Sequence, residues 1–219
     1  MCGIVGYVGA WNAAPVLLSG LSRLEYRGYD SAGIAVSDLR DGENRIEILK
    51  AKGRLQALKE MTDNGKAVSG TCGIGHTRWA THGEPSVANA HPHCSKDKRI
   101  VVVHNGIIEN YKELKEYLQK KGFVFLSETD TEVVAHLLDY YYKGNPLEAI
   151  ARALGRIRGS YALGILFKDQ PGKIYAVRKD SPLIIGRSEN GNFIASDVPA
   201  ILKYTKNVCY ISDMEIAEL

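Results

Sequence analysis

Residues 2–8 read Cys-Gly-Ile-Val-Gly-Tyr-Val, a cysteine after the initiator methionine that leads into a short apolar run. The apolar part, residues 4–8, predicts a buried β-strand at the start of the chain. The side chain of Cys2 is small, and a small residue at this position permits removal of Met1. We therefore expect a mature chain that begins with Cys2, so that a thiol and a free α-amine belong to the same residue.

Outward from this strand, the sequence groups its strands and its helices into separate runs. Apolar segments and turn residues predict further strands at 32–36, 45–51, 71–80, 99–104, 160–168, 173–179, 183–186, 192–196 and 207–211. Capping residues and helical spacing predict helices at 12–26, 55–61, 110–121 and 129–143, and a last one from Pro146. This grouping predicts an α+β fold with antiparallel sheets and one domain over residues 1–219.

Composition and charge exclude several classes of protein. The 28 basic and 25 acidic residues give a net charge of +3, which is too small to indicate binding to nucleic acid or to a membrane surface. No apolar stretch near the N-terminus approaches the roughly 20 residues of a spanning helix. The four cysteines have no paired spacing, which favours reduced thiols over disulfides. We expect a cytoplasmic protein.

An N-terminal cysteine can act as a nucleophile without a separate histidine base. A thiol titrates near pH ~8.5 and an α-amine near ~8, so at neutral pH some of the amine is free to accept the thiol proton. The thiolate could then attack an amide carbonyl. Position alone, however, favours a simpler interpretation of Cys2 as a small buried residue, because free cysteine is among the most buried residue types.

Further motifs follow in order along the chain, and they indicate a family. They are Arg-Gly-Tyr-Asp-Ser-Ala-Gly at 27–33, His-Thr-Arg-Trp-Ala-Thr-His-Gly at 76–83, and His-Asn-Gly-Ile-Ile-Glu-Asn at 104–110. Together with the start at Cys2, they resemble the class II glutamine amidotransferases. The segments 79–83 and 127–132 resemble more specifically the glutaminase domains of the isomerising glutamine:fructose-6-phosphate aminotransferases, also called glucosamine-6-phosphate synthases.

This resemblance implies a fold and a reaction. The fold would be a four-layer α/β/β/α sandwich of the N-terminal-nucleophile hydrolase type, with two antiparallel sheets face to face. The reaction would be hydrolysis of free L-glutamine to glutamate and ammonia through a glutamyl thioester on Cys2, with no metal or organic cofactor. The side-chain amide of Asn105 and the backbone N–H of Gly106 would stabilise the oxyanion. Arg78 would bind the α-carboxylate of glutamine, and Asp130 its α-ammonium.

Each of these residues also has a plainer interpretation when it is considered alone. Asn105-Gly106 would be an ordinary turn, Arg78 a surface charge, and Asp130 an acidic residue in the first turn of a helix. The resemblance also places Trp79, Thr81 and His82 on a loop that covers glutamine, and it assigns Arg27 to the substrate site, where it would order the N-terminal loop.

The segment His91-Pro92-His93-Cys94 contains the residue types that bind zinc. We do not predict a metal site there, because no second pair of ligands with suitable spacing occurs elsewhere in the sequence.

The resemblance also implies partners for this domain in a complete enzyme. Complete enzymes of this kind carry two sugar-isomerase modules and form homodimers, and nothing in these 219 residues resembles those modules. The ammonia would serve the conversion of fructose 6-phosphate to glucosamine 6-phosphate.

Two alternative functions remain open. One is the glutaminase domain of a purine-pathway phosphoribosyl transferase or of an asparagine synthetase, against which segment 79–83 argues. Another is a regulatory or binding domain that retains the fold without catalysis.

Overall fold

A computed structural model describes residues 2–79 and 83–219 of the chain. Within these residues, seven strands form one antiparallel sheet, in the spatial order β11-β9-β10-β1-β4-β2-β3. Its strands are β1 (Gly3–Gly9), β2 (Ser31–Arg40), β3 (Glu43–Lys52), β4 (Cys72–Arg78), β9 (Ile184–Ser188), β10 (Gly191–Ala195) and β11 (Asn207–Tyr210). The N-terminal strand β1 lies between β10 and β4 in the interior of the sheet.

A second antiparallel sheet contains five strands in the order β12-β8-β7-β6-β5. These strands are β5 (His93–Cys94), β6 (Ile100–Ile108), β7 (Gly159–Phe167), β8 (Tyr175–Lys179) and β12 (Ile216–Glu218). The long pairing of β6 with β7 holds residues 104–108, the first part of the motif at 104–110, in this sheet.

Helices cover the outer face of each sheet. Helices α1 (Ala13–Ser22) and α2 (Leu55–Met61) lie on the seven-stranded sheet, whereas α3 (Tyr111–Lys120), α4 (Thr131–Tyr141) and α5 (Pro146–Leu154) lie on the five-stranded sheet. The order helix, sheet, sheet, helix confirms the predicted four-layer α+β sandwich. No described helix combines the length and apolar character that a bilayer crossing requires.

Strand alternation divides the apolar side chains among three layers of core. Because successive residues of a strand point to opposite faces, Ile4 and Ile74 of the first sheet meet Val103 of the second sheet in the middle layer. Cys2, His76 and Asn105 lie two residues further along these same faces. The polar groups of the motifs therefore lie at one end of the layer between the sheets.

Several predicted boundaries needed correction. The first helix was predicted to continue to Tyr26, but α1 ends at Ser22 and a short 3₁₀ turn spans Glu25–Arg27. After this break, the side chain of Leu24 is completely buried and lies over Gly3, where a Cβ atom would prevent the contact. Strands β5 and β12 were missed, because a two- or three-residue strand is too short to show a period.

The side chain of Asn12, the residue before α1, binds outside the helix. Asn12 does precede α1, but its amide makes no capping bond. It donates instead to the carbonyl of Val68 at 2.8 Å. The contact ties the start of α1 to the loop that precedes β4.

Gly33 on β2 gives a direct test of this packing. A Cβ atom at Gly33 would lie 2.2 Å from the carbonyl oxygen of His91 and 2.9 Å from that of Leu49, and neither backbone atom can rotate away. We expect Gly33→Ala to lower the free energy of unfolding by about 1–3 kcal/mol or more, as overpacking usually does. Urea denaturation at equilibrium measures this change.

Gly155→Ala is the matched control, because a Cβ there would have no neighbour closer than 3.5 Å and the backbone φ is −64°. The control should have the same midpoint as the parent chain or a slightly higher one. Equal midpoints for the two variants would contradict the close approach of β2 to His91.

Candidate active site

A cavity of about 320 Å³ opens at the polar end of the layer between the sheets. Seven of the nine residues that the sequence motifs assign to a glutamine site line it: Cys2, Arg27, Arg78, Trp79, Asn105, Gly106 and Asp130. The other two, Thr81 and His82, lie outside the described residues. Eight lining residues had not been predicted: His91, His104, Ile107, Thr129, Thr131, Ser160, Ser181 and Pro182.

The thiol of Cys2 lies against the end of strand β4. The backbone N–H of Trp79 points to Sγ of Cys2 at 3.2 Å. Burial raises the pKa of the Cys2 thiol, and this effect exceeds the opposing influence of the Trp79 N–H and of the positive charge on Arg78. The resting group is therefore a thiol near neutral pH, and it needs a base when it reacts.

Asn105 and Gly106 lie on β6 and line the same cavity as Cys2. Nδ2 of Asn105 donates to the carbonyl oxygen of Cys2 at 3.0 Å. Gly106 has a φ of +121°, and a Cβ atom there would lie 2.1 Å from the carbonyl oxygen of Ser160. Only glycine fits this position, and its exposed backbone lies at the cavity wall.

Arg78 and Asp130 bring opposite charges to the same cavity. Arg78 is 3% exposed, and its Nη2 donates to the carbonyl of Gly83 at 3.1 Å. Burial lowers the pKa of Arg78, although interactions with Cys2, Asp30 and Asp130 oppose this change. A guanidinium titrates so far above neutrality that the group stays charged. Asp130 is buried as well, and its Oδ2 accepts the N–H of Ile108 at 2.8 Å.

Asp130 precedes helix α4, and Glu132 fixes the turn that leads into this helix. Glu132 accepts the backbone N–H groups of Leu126 and Ser127 at 2.8 and 2.7 Å, and the Ser127 hydroxyl at 2.6 Å. Burial would raise the pKa of Glu132, but these donors and His136 outweigh it and lower the pKa to about 2. The carboxylate is thus ionised near neutral pH. Within the motif at 127–132, Asp130 therefore faces the cavity, whereas Glu132 holds the backbone of the turn before α4.

His91 and His104 line the cavity, and two further buried histidines, His76 and His93, lie behind them. The rings of His76 and His91 stack with a centroid distance of 4.0 Å, and His93 meets His91 edge to face. His93 and His104 are each hydrogen-bonded to a threonine hydroxyl, of Thr129 and Thr131 respectively. Burial lowers the pKa of His76, His91 and His93, so these rings are neutral near pH 7. Within residues 2–79 and 83–219, no group of His, Cys, Asp or Glu has the arrangement of a metal site.

Trp79 and Arg27 lie at the rim of the cavity. The indole of Trp79 is 44% exposed and packs edge-on against Tyr29, with ring centroids 5.4 Å apart. Arg27 forms an ion pair with Asp197 and donates through Nε to the hydroxyl of Tyr26. These contacts tie the 3₁₀ turn at Glu25–Arg27 to the segment after β10. The predicted contact of Arg27 with substrate stays a prediction.

The chemical capacity of the cavity follows from these groups. It contains a thiol, an amide N–H donor within reach of the same residue, and a separated pair of opposite charges. A small molecule with an amide at one end and both an anionic and a cationic group at the other would match all of them.

Comparisons with known proteins identify relatives of the chain. A sequence-family model described as a glutamine amidotransferase domain matches residues 76–203. Among curated proteins, the chain is 61% identical over 217 residues to a glutamine–fructose-6-phosphate aminotransferase (isomerizing) from Caldanaerobacter subterraneus subsp. tengcongensis, which covers 99% of the chain. It is 58% identical over 219 residues to the protein of the same name from Clostridium acetobutylicum, which covers 100% of the chain. The chain spans 35% of the length of each of these relatives.

Among solved structures, the chain is similar to a glutamine phosphoribosylpyrophosphate amidotransferase from B. subtilis. The TM-score is 0.80 with 26% sequence identity, over 100% of this chain and 49% of the other. The N-terminal-nucleophile sandwich predicted from the motifs is thus the fold of the molecule.

Proposed function

Because the chain belongs to the glutamine amidotransferase domain family, we propose that it hydrolyses free L-glutamine to glutamate and ammonia, with Cys2 as the nucleophile. The observation that carries this proposal is the shared cavity. The Cys2 thiol, the Asn105 amide and the charged side chains of Arg78 and Asp130 line one space of about 320 Å³.

The reaction begins at Cys2 after Met1 has been removed. The free α-amine accepts the thiol proton, and Sγ attacks the side-chain carbonyl carbon of glutamine. Negative charge then moves to the carbonyl oxygen, where Nδ2–H of Asn105 and the backbone N–H of Gly106 donate to it. The amine returns the proton to the departing nitrogen, the C–N bond breaks, and ammonia leaves a glutamyl thioester on Cys2.

Water completes the cycle at the same residue. The α-amine accepts a proton from the attacking water, the C–S bond breaks, and glutamate leaves as the thiol is restored. The raised pKa of the thiol makes the adjacent base necessary. The N–H of Trp79 at 3.2 Å would stabilise the thiolate as it forms.

Recognition of free glutamine rests on the pair of opposite charges. The planar fork of Arg78 suits the α-carboxylate, and the carboxylate of Asp130 suits the α-ammonium. Both side chains are held by backbone groups, Arg78 by the carbonyl of Gly83 and Asp130 by the N–H of Ile108. A glutamine residue within a peptide has neither charge, so the cavity would reject it.

The ammonia that this domain releases would be used by a larger protein that contains it. We propose that this domain supplies ammonia for conversion of fructose 6-phosphate to glucosamine 6-phosphate, in a homodimeric parent that also carries sugar-isomerase modules. The 61% and 58% identities to relatives with the corresponding name support this acceptor. A cytoplasmic location fits the proposal, because thiols such as that of Cys2 stay reduced in that compartment.

Replacement of the nucleophile tests the hydrolysis itself. Cys2→Ala should release no glutamate from glutamine, because no other described thiol lines the cavity, whereas glutamine binding should remain measurable by calorimetry. The parent sample must have an intact mass that shows loss of Met1. Cys94→Ala is the matched control, since this partly buried thiol on β5 does not line the cavity, and it should retain activity. Glutamate release by Cys2→Ala at the parental rate would refute the nucleophile.

Arg78→Ala tests recognition of the α-carboxylate. Loss of a hydrogen bond to a charged group costs about 1.5–3 kcal/mol, so KM for glutamine should rise about 10- to 150-fold. The variant should also lose the preference of the parent for L-glutamine over its α-carboxamide. Steady-state kinetics on both compounds measure the two effects. A variant that kept the parental KM and the parental preference would remove Arg78 from the substrate site.

The acceptor is tested in a full-length protein that contains this domain. With glutamine and fructose 6-phosphate, it should form glucosamine 6-phosphate, and Cys2→Ala should abolish glutamine-dependent formation. Mass spectrometry of the products measures both. Formation of an aminated product from phosphoribosyl pyrophosphate instead would assign the domain to the phosphoribosyl transferase alternative.

A further inference from the structure

The side-chain amide of Asn105 can fill its site in two orientations that differ by a half-turn of the carboxamide. Nitrogen and oxygen exchange places in this turn, while the shape of the group hardly changes. Only the orientation with Nδ2 toward Cys2 presents a donor to an oxyanion. The reaction therefore depends on the group that fixes the Asn105 amide in that orientation.

The partner of the Asn105 oxygen is His76 on β4. Nε2 of His76 lies 3.0 Å from Oδ1 of Asn105 and 3.0 Å from the backbone carbonyl oxygen of His104. A carbonyl oxygen can only accept, so Nε2 of His76 must carry a hydrogen. Since Nε2 is a donor, the atom of Asn105 that faces it must be the oxygen.

The hydrogen bond on the opposite side of the Asn105 amide favours the same orientation. Nδ2 of Asn105 donates to the carbonyl oxygen of Cys2 at 3.0 Å. A half-turn would place the amide nitrogen against the His76 donor and the amide oxygen against the Cys2 carbonyl. Two hydrogen bonds would become two repulsive contacts in a largely buried place.

The ring of His76 is itself held in place. It is 1% exposed and stacks on His91 with an angle of 13° between the rings. Nδ1 of His91 accepts the backbone N–H of His104 at 3.3 Å. The segment that precedes Asn105 thus fixes both rings. Burial lowers the pKa of His76 to about 3, so the ring stays neutral and retains one hydrogen, on Nε2.

We propose that His76 is a positioning residue for the oxyanion donor, because its Nε2–H holds the Asn105 carboxamide with the nitrogen toward the carbonyl under attack. His76 itself does not line the cavity. The inference rests on the proposed glutamine hydrolysis, and it adds a function for a residue that opens the motif at 76–83.

Two amide substitutions at His76 separate positioning from packing. In His76→Gln, the side-chain nitrogen reaches about the place of Nε2, whereas in His76→Asn it ends nearer to Nδ1 and does not reach Asn105. Loss of an oxyanion donor typically lowers kcat about 10²- to 10³-fold. We expect His76→Asn to lower kcat at least about 30-fold with KM changed less than about threefold, and His76→Gln to recover kcat to within about tenfold of the parent.

A double-mutant cycle with Asn105→Ala distinguishes an effect through Asn105 from a general disturbance of the fold. If His76 acts through Asn105, His76→Asn should have little further effect on kcat once Asn105 is alanine. His93→Gln is the control, because His93 is equally buried but binds Thr129 and not Asn105. Its kcat should stay within about threefold of the parent. Additive losses in the cycle, or equal kcat values for the Gln and Asn variants, would overturn the inference.

Spectroscopy of the parent chain tests the same point without a substitution that could prevent folding. Nitrogen-15 NMR of the His76 ring at pH 7 should show the neutral tautomer with its hydrogen on Nε2. A hydrogen on Nδ1, or a charged ring, would overturn the inference whatever the variants do. A parent chain that releases no glutamate after loss of Met1 would instead refute the proposed hydrolysis, and the NMR result would still decide the orientation of Asn105.

Discussion

The face-to-face packing of two antiparallel sheets constrains every group at the site. Alternate residues of each strand must point into the layer between the sheets, and the strand spacing fixes how far apart they lie. Along most of this layer the inward side chains are apolar, as at Ile4, Ile74 and Val103. At one end, the same faces carry Cys2, His76 and Asn105. Cys2 and the amide of Asn105 meet because their strands are already held in place by the apolar part.

This arrangement explains which features a sequence can reveal. The strands and most helices were predictable, because apolar periods and capping residues are local signals, whereas the four layers were implied by the resemblance of the motifs to a family. The residues with reactive or charged groups were also recognisable, since Cys2, Arg78 and Asp130 lie in ordered motifs. Short strands such as β5 and β12 escaped notice because they owe their pairing to a neighbouring strand rather than to their own pattern.

The links between motifs could not be read from the sequence. His76 and Asn105 are 29 positions apart, and their hydrogen bond exists only because β4 and β6 face each other across the middle layer. The hydrogen bonds of Glu132 to the turn before α4 are similar, since an acidic residue near a helix start does not reveal which backbone N–H groups donate to it. Residues that act through others therefore carry a weaker sequence signal than residues with reactive groups of their own.

The neutral histidines also bear on the electrostatics of the cavity. Burial keeps His76, His91 and His93 uncharged near neutral pH, although these rings lie close to the buried guanidinium of Arg78. If glutamine binds as proposed, a charged ring among them would compete with Arg78 for its α-carboxylate and would repel its α-ammonium. Arg27 at the rim has its charge matched by Asp197. Under the proposed function, the opposite charges of Arg78 and Asp130 would align a free amino acid, and the neutral groups beside them would not disturb that alignment.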